Sequence, residues 1–274
     1  DTVSYEGNVA APYTEGSGSG LEDSAGDGYS GISRYPNGVD TNQNNVDLSQ
    51  RCATPGEANT DENTACVPPV IEACGNAFTP IYDIQGNGLA SALDGSVVST
   101  EGIVTATFFD TNQMGGFYMQ DAAGDGDATT SDGIYVFTTF YTPAVGDKVR
   151  VKGTVDEFFD LTEITSVSSY LSCGVETPIT PTEVTLPVAS IDDFEAFEGM
   201  LVTFPQQLTV SNNFTLGRYG EIELSVNGRL FQPTNVTTPG AAANALQDLN
   251  NRSRIQLDDG SNVQNPVPLP PYFN

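Results

Sequence analysis

Histidine is absent from all 274 positions. This removes the one side chain whose unperturbed pKa lies near neutrality. With it go Ser-His-Asp and Cys-His nucleophiles and every His-containing zinc or non-haem iron site. Tryptophan is also absent, which disfavours a sugar cleft built on aromatic platforms and a carbohydrate-binding module alike. Carboxylate pairs of the glycosidase kind remain available among the 36 Asp and Glu, but catalysis by this chain is not expected. Bases are scarce: nine Lys plus Arg leave a formal net charge of −27. Such a surface repels nucleic acid and anionic membrane unless cations intervene. No apolar run is long enough to span a bilayer.

What is present argues for a folded protein from an oxidising, calcium-bearing extracellular setting. Hydrophobic residues make up 38%, with 14 Phe and 11 Tyr, enough for packed cores. The four cysteines, Cys52, Cys66, Cys74 and Cys173, show no CxxC spacing and have no histidine with which to complete a metal site. The pairing Cys52–Cys66 across the polar loop 53–65, and Cys74–Cys173 across a whole domain, would contribute ~3 and just under ~5 kcal/mol in the chain-entropy model. The alternative is four buried free thiols in a cytosolic protein, which the acidity and the sequons at Asn213, Asn235 and Asn251 oppose. The start at Asp1-Thr2-Val3-Ser4-Tyr5 reads as a chain from which a leader has been removed.

Residues 1–60 are rich in Gly, Ser and Asn, with Thr2–Tyr5 and Gly31–Tyr35 as edge strands, and 61–75 reads as a disulfide-pinned linker. From Ile81 to Cys173 the signal is β throughout. Strands are expected at Ser96–Phe109 (bent by a bulge at Gly102), Gly116–Asp121, Gly133–Phe140, Lys148–Val155 and Leu161–Val167. That number of strands, the first bent at a glycine, predicts an OB-type barrel over 76–175. The region 176–274 begins with a short helix at Ser190–Phe197, where Ser190 and Asp193 fit a capping box. Strands follow at Gly199–Phe204, Leu208–Val210 and Glu221–Val226, then a helix at Gly240–Leu249 and an extended end. Glu101–Thr105 and Glu198–Thr203 form a short internal echo.

Several of these stretches carry a resemblance. Ile81–Gly88, Gly115–Asp121, Gly124–Asp127 and Ser131–Ile134 resemble the OB-fold of large secreted bacterial nucleases. Glu198–Thr203, Leu216–Glu221 and Gly228–Thr234 are similar to the next region of that family, and Ser33–Asn42 through Ala53–Asn59 to the tail half of a lamin-tail domain. The resemblance implies a parent layout of lamin-tail domain, OB-fold, β-rich segment and a metal-dependent endonuclease/exonuclease/phosphatase domain. The first half of the lamin-tail domain and the whole nuclease domain have no counterpart here, so no catalytic residue carries over. The expected fold class is mostly β: a partial lamin-tail (Ig-like) segment, the barrel, and a second, incomplete OB-like region with one or two short helices.

Three constellations are candidate sites. Asp121, Asp125, Asp127 and Asp132 share one glycine-bearing loop and repel one another unless a hard cation or water separates them. Calcium, taking six to eight oxygens in flexible geometry, suits such a loop, and the bland reading is a solvated hairpin whose Asp residues make turns. Asp40, Asn42, Asn44 and Asp47 form a second candidate of the same kind. Lys148, Arg150 and Lys152 share one strand face. They read either as phosphate contacts helped by base stacking on Tyr118 or Tyr135, or as an exposed face offsetting local acid. No chemistry is assigned to Arg218 and Tyr219.

Two functions compete: the non-catalytic front of a secreted nuclease, with a nuclease domain in cis or nucleic acid as partner, and a structural subunit of an extracellular assembly. In the second, an open sheet is completed head to tail by Thr2–Tyr5 or Asn265–Asn274 of another copy, which generates a filament. No membrane partner is expected.

Overall fold

The computed structural model describes residues 15–17, 20–21, 29–54, 58–59, 66, 72–268 and 270. The expected strand Thr2–Tyr5, most of the 61–75 linker and the tail residues 269 and 271–274 lie outside the described residues. The chain divides into two compact units, Asp1–Ile71 and Glu72–Asn274.

In the first unit, strand β1 (Ser30–Arg34) pairs antiparallel with β2 (Leu48–Cys52), and the short helix α1 (Asn44–Asp47) precedes β2. Cys52 and Cys66 are bridged, with an S–S distance of 2.06 Å.

The second unit opens with a helix where the sequence reads as strand. Pro80 starts α2 (Ile81–Gln85), and the three-residue spacing of Ile81 and Ile84 puts both on one face, where both are fully buried. Five strands follow: β3 (Val97–Phe108), β4 (Gly116–Gln120), β5 (Gly133–Phe137), β6 (Asp147–Phe158) and β7 (Leu161–Val175). They close into a barrel in the order β3-β4-β5-β7-β6, with β5 and β7 parallel and every other pair antiparallel. Period-two alternation fills it: Phe117, Met119, Ile134, Val136, Val149, Val151, Val155 and Ile164 all point inward and are fully buried. The bulge in β3 falls between Val104 and Ala106 rather than at Gly102. Gly102 serves close approach instead, since a Cβ there would lie 3.2 Å from the side chains of Ile81 and Met119. Cys74 and Cys173 are bridged beside this barrel.

Beyond the barrel, β8 (Thr182–Glu183) pairs in parallel with β9 (Val202–Thr203), and a 3-10 helix (Ile191–Phe197) lies between them. The expected capping box starts that helix: Ser190 N donates to Asp193 Oδ2 at 2.8 Å, and Ser190 Oγ accepts from Asp192 N. Then come β10 (Thr209–Asn212), α3 (Leu216–Tyr219), β11 (Ile222–Ser225), α4 (Ala241–Arg252) and β12 (Arg254–Leu257). The sheet β10-β11-β12 packs around a small cluster of Leu186, Val188 and Val226, with Phe194, Phe204, Leu208 and Ile255 against it. Strand β12 has no counterpart in the sequence reading. The internal echo is not a structural repeat: Glu101–Thr105 lies within β3, whereas Gly199 adopts a positive φ of 69° in a turn.

The barrel and the following region, separated in the sequence at 175/176, belong to one unit because residues 198–201 seal the outer face of β4 and β5. Leu201 N donates to Gln120 Oε1 (3.0 Å), Ser131 Oγ to the carbonyl of Glu198 (2.5 Å), and Thr162 N to Glu198 Oε1 (2.9 Å). Gly133 and Gly199 are glycines because their backbones touch, and a Cβ on either would overlap the other's carbonyl carbon.

Candidate functional site

The basic strand β6 carries Lys148, Arg150 and Lys152 outward, as the alternation requires, but the expected open face is not there. Arg150 is almost wholly buried, at 3% exposure. Its Nε donates to Glu72 Oε2 at 2.6 Å and its Nη1 to Glu101 Oε1 at 3.0 Å. The carbonyls of Asn76 and Ala77 accept from the two Nη groups. Lys152 lies 3.5 Å from Glu72 and Lys148 3.9 Å from Glu101. Burial pushes Glu72 up, but its hydrogen bonds from Arg150 and Ser99 outweigh that and hold its carboxyl below the ordinary glutamate range. The segment from Glu72 to Thr79 thus lies over β3 and β6, and the two lysines share acids already paired with arginine. One sequence signal pointed here: Cys173 lies in β7, whose Leu171 pairs with Arg150, so a Cys74–Cys173 bridge draws Glu72 to the basic strand.

The tyrosines are not free stacking platforms either. Tyr118 and Tyr135 are cross-strand partners with ring centroids 4.9 Å apart, and Tyr135 is 3% exposed, its Oη buried without a hydrogen-bond partner among the described residues. Burial raises the Tyr118 phenol, and the Glu198 and Glu163 charges raise it further. Burial likewise raises Tyr135, with Tyr118 and Glu163 adding to it.

Around these rings lies an acidic face that the sequence reading did not single out. Burial lifts Glu163 to about 7, with the charge of Asp156 adding to it. Burial also lifts Glu198 to about 7; the hydrogen bond from Thr162 opposes this, and Glu195 and Glu157 reinforce it. These groups stand on β6, β7 and the 3-10 helix, which no local pattern relates.

The two acidic loops use their oxygens internally. Asp121 Oδ1 accepts from Ala123 N (2.9 Å), Asp125 Oδ1 from Asp127 N (2.8 Å), and Asp127 Oδ1 from Thr129 N (2.9 Å). These are turns in which each Asp side chain bonds backbone two residues on. Asp132 Oδ1 is buried without a partner among the described residues, and burial, then the charges of Asp121 and Asp125, raise its carboxyl. Among the described residues, no three acidic or thiol side chains come together to hold a metal ion. The second loop is organised by a side chain. Arg34 Nη1 lies 2.9 Å from Asp40 and 3.7 Å from Asp47, and Arg34 Nη2 donates to Asn44 Oδ1. Asn42 contributes its backbone N–H, to Asp40. The guanidinium thus stands where a cation was expected, and the Asp40 carboxyl is lowered by its hydrogen bonds from Asn42 and Arg34. Asp125→Ala with Asp127→Ala is expected to loosen these turns and lower the melting temperature slightly, equally in calcium and in chelator. A calcium-dependent rise in melting temperature that the double variant abolishes would reverse this assignment.

Arg218 and Tyr219 close α3. The guanidinium stacks 5.2 Å from the Tyr219 ring, and Gly220 caps the helix at φ 86°. They lie in the turn from β10 to β11, where the Arg218 carbonyl also accepts from Asn265 N at 2.7 Å.

Strand order and closure place the protein in the mostly β class, built on an OB-type barrel with the segment 198–201 sealed against it. No family model and no curated protein matches the chain. Among solved structures, one described as the structure of the hypothetical protein ygiW from E. coli is 20% identical, with 29% of this chain and 76% of that chain covered. Its TM-score is 0.21, too low to support an argument about fold or function.

Proposed function

We propose that this chain is the non-catalytic part of a secreted, extracellular nuclease and that its barrel unit positions the catalytic domain of the parent polypeptide. The observation that carries this reading is the seam. Gly115–Asp121, Ser131–Ile134 and Glu198–Thr203, three of the stretches resembling the secreted nucleases, meet there through Gln120 and Leu201, Ser131 and Glu198, and Gly133 and Gly199. Gln120 and Leu201 are 81 positions apart, so the resemblance follows a contact, not only a string. Two disulfides suit an oxidising compartment, and no helix among the described residues is long and apolar enough to cross a membrane. Positioning of a protein domain is favoured over holding nucleic acid, because Arg150 is buried in ion pairs with Glu72 and Glu101, and Lys148 and Lys152 lie against the same two carboxylates.

The purified chain is expected to leave plasmid DNA intact with magnesium, manganese or calcium, and to bind labelled single-stranded DNA no more tightly at low salt than at physiological salt. Metal-dependent degradation that co-purifies with the chain and disappears in Glu163→Gln with Glu198→Gln would defeat the proposal. The structural-subunit reading has one observation in its favour: among the described residues, β10 is an edge strand, with Val210 exposed on it. Light scattering that grows with concentration, and is suppressed by Val210→Lys, would support it.

A further inference from the structure

A groove of about 750 Å³ runs between the turn 87–89, the tip of the 121–132 loop and the segment 184–197. Its size falls within the range of ligand clefts. Leu89, Val188 and Phe197 supply apolar lining, and every charged residue in it is acidic: Asp192, Asp193 and Glu195. Asp193 is engaged in the capping box, whereas Asp192 and Glu195 form no ion pair among the described residues. Glu195 also feels the charges of Glu157 and Asp160, which flank the tip of the β6–β7 hairpin. That tip holds Phe158 and Phe159 edge to face at 4.7 Å, 55% and 88% exposed, with Phe159 at a positive φ of 52°. Bulky residues seldom adopt that backbone, and here it holds an aromatic ring out into solvent, next to Asp160 in the chain.

We propose that this groove, continued by the Phe158–Phe159 tip, docks an extended cationic polypeptide segment of a partner, one that alternates lysine or arginine with apolar residues. The carboxylates on the rim complement the bases, the lining takes the apolar side chains, and the exposed rings receive a cation on their faces. Nucleic acid and anionic lipid are repelled by the same carboxylates. Metal alone is disfavoured because no three acids converge among the described residues. The proposal stands without the nuclease reading.

The overall charge of −27 attracts any polycation, so the test must separate groove from field. Fluorescence anisotropy would follow a labelled peptide of alternating lysine and valine, about ten residues long so as to span some 30 Å, at physiological ionic strength. Saturable binding is expected. Asp192→Asn with Glu195→Gln should weaken it about tenfold, and Phe159→Ser by roughly threefold. Asp83→Asn with Asp110→Asn removes the same charge from exposed positions outside the groove and should change affinity by less than about twofold. Unchanged melting temperatures would show the variants folded. No saturable binding, equal losses in the two charge-neutralised pairs, or equal binding of a lysine homopolymer would each overturn the proposal.

Discussion

Arg150→Leu is expected to destabilise the Glu72–Asn274 unit by about 3–5 kcal/mol, read as a fall in denaturant midpoint at unchanged slope. The side chain faces away from the hydrophobic interior yet is as buried as a core residue, because Glu72 to Ala77 closes over it. Removing it leaves the Glu101 carboxylate, itself 4% exposed, and the Glu72 carboxylate without their main counter-charge, and takes away the guanidinium donors that hold the segment carrying Asn76 and Ala77. Lys148 and Lys152 stand too far off, at 3.9 and 3.5 Å and half in water, to replace it. Arg150→Lys should recover only part of the loss, since an ammonium cannot span four acceptors in a fork. Neutralising both acids alongside, in Glu72→Gln, Glu101→Gln, Arg150→Leu, should be milder than Arg150→Leu alone, because the uncompensated charge is the larger part of the cost. A loss below about 1 kcal/mol for Arg150→Leu would mean that the guanidinium is not sealed.

Stability is expected to rise as pH falls from 8 to 5, the reverse of what acidification does to most proteins. The folded-state carboxyls of Glu163 and Glu198 lie at about 7, above the 4.5 of an ordinary glutamate. For a group raised in the folded state, the stabilising contribution is fully present below the unfolded value and is lost as pH rises through the folded one. The window therefore runs from about 4.5 to about 7. Each carboxyl contributes on the order of 2 kcal/mol across it, and together they should move the melting temperature by roughly 10 °C in a unit of this size. Glu72 and Asp127 are lowered in the folded state, so what they contribute is present at neutral pH and fails only below about pH 4. A stability maximum near pH 5 follows. General relief of the −27 charge acts in the same direction, and Glu163→Gln with Glu198→Gln separates the two. The double variant should melt higher than the parent at pH 8 and show a much flatter profile between 8 and 5. Parallel profiles for variant and parent would assign the effect to the net charge.

Much of the fold was legible in the sequence because it depends on local spacing. Valines at every second position mark β6 and its inward face, and Val149, Val151 and Val155 are fully buried as that spacing implies. The Ser190–Asp193 pair marks a helix start, the Ala-rich run marks α4, and both cysteine pairings are those expected. The short helix α2 escaped because two isoleucines one turn apart also fit a strand.

The sequence by itself determined an acidic, mostly β protein without histidine chemistry, and its barrel strands, since composition and period-two alternation need no partner to be read. Only the tertiary structure decided what covers each outward face. Glu72 neutralises Arg150 from 78 positions away, Arg34 fills the centre of the Asp40–Asp47 loop, and the 198–201 segment seals the face carrying Tyr135 and Glu163. Alternation states which side a residue leaves the strand but not what meets it there. That depends on chain segments brought together by closure of the barrel, and it turns an apparently open basic strand into a sealed ion-pair cluster and an ordinary glutamate into one that titrates near neutrality.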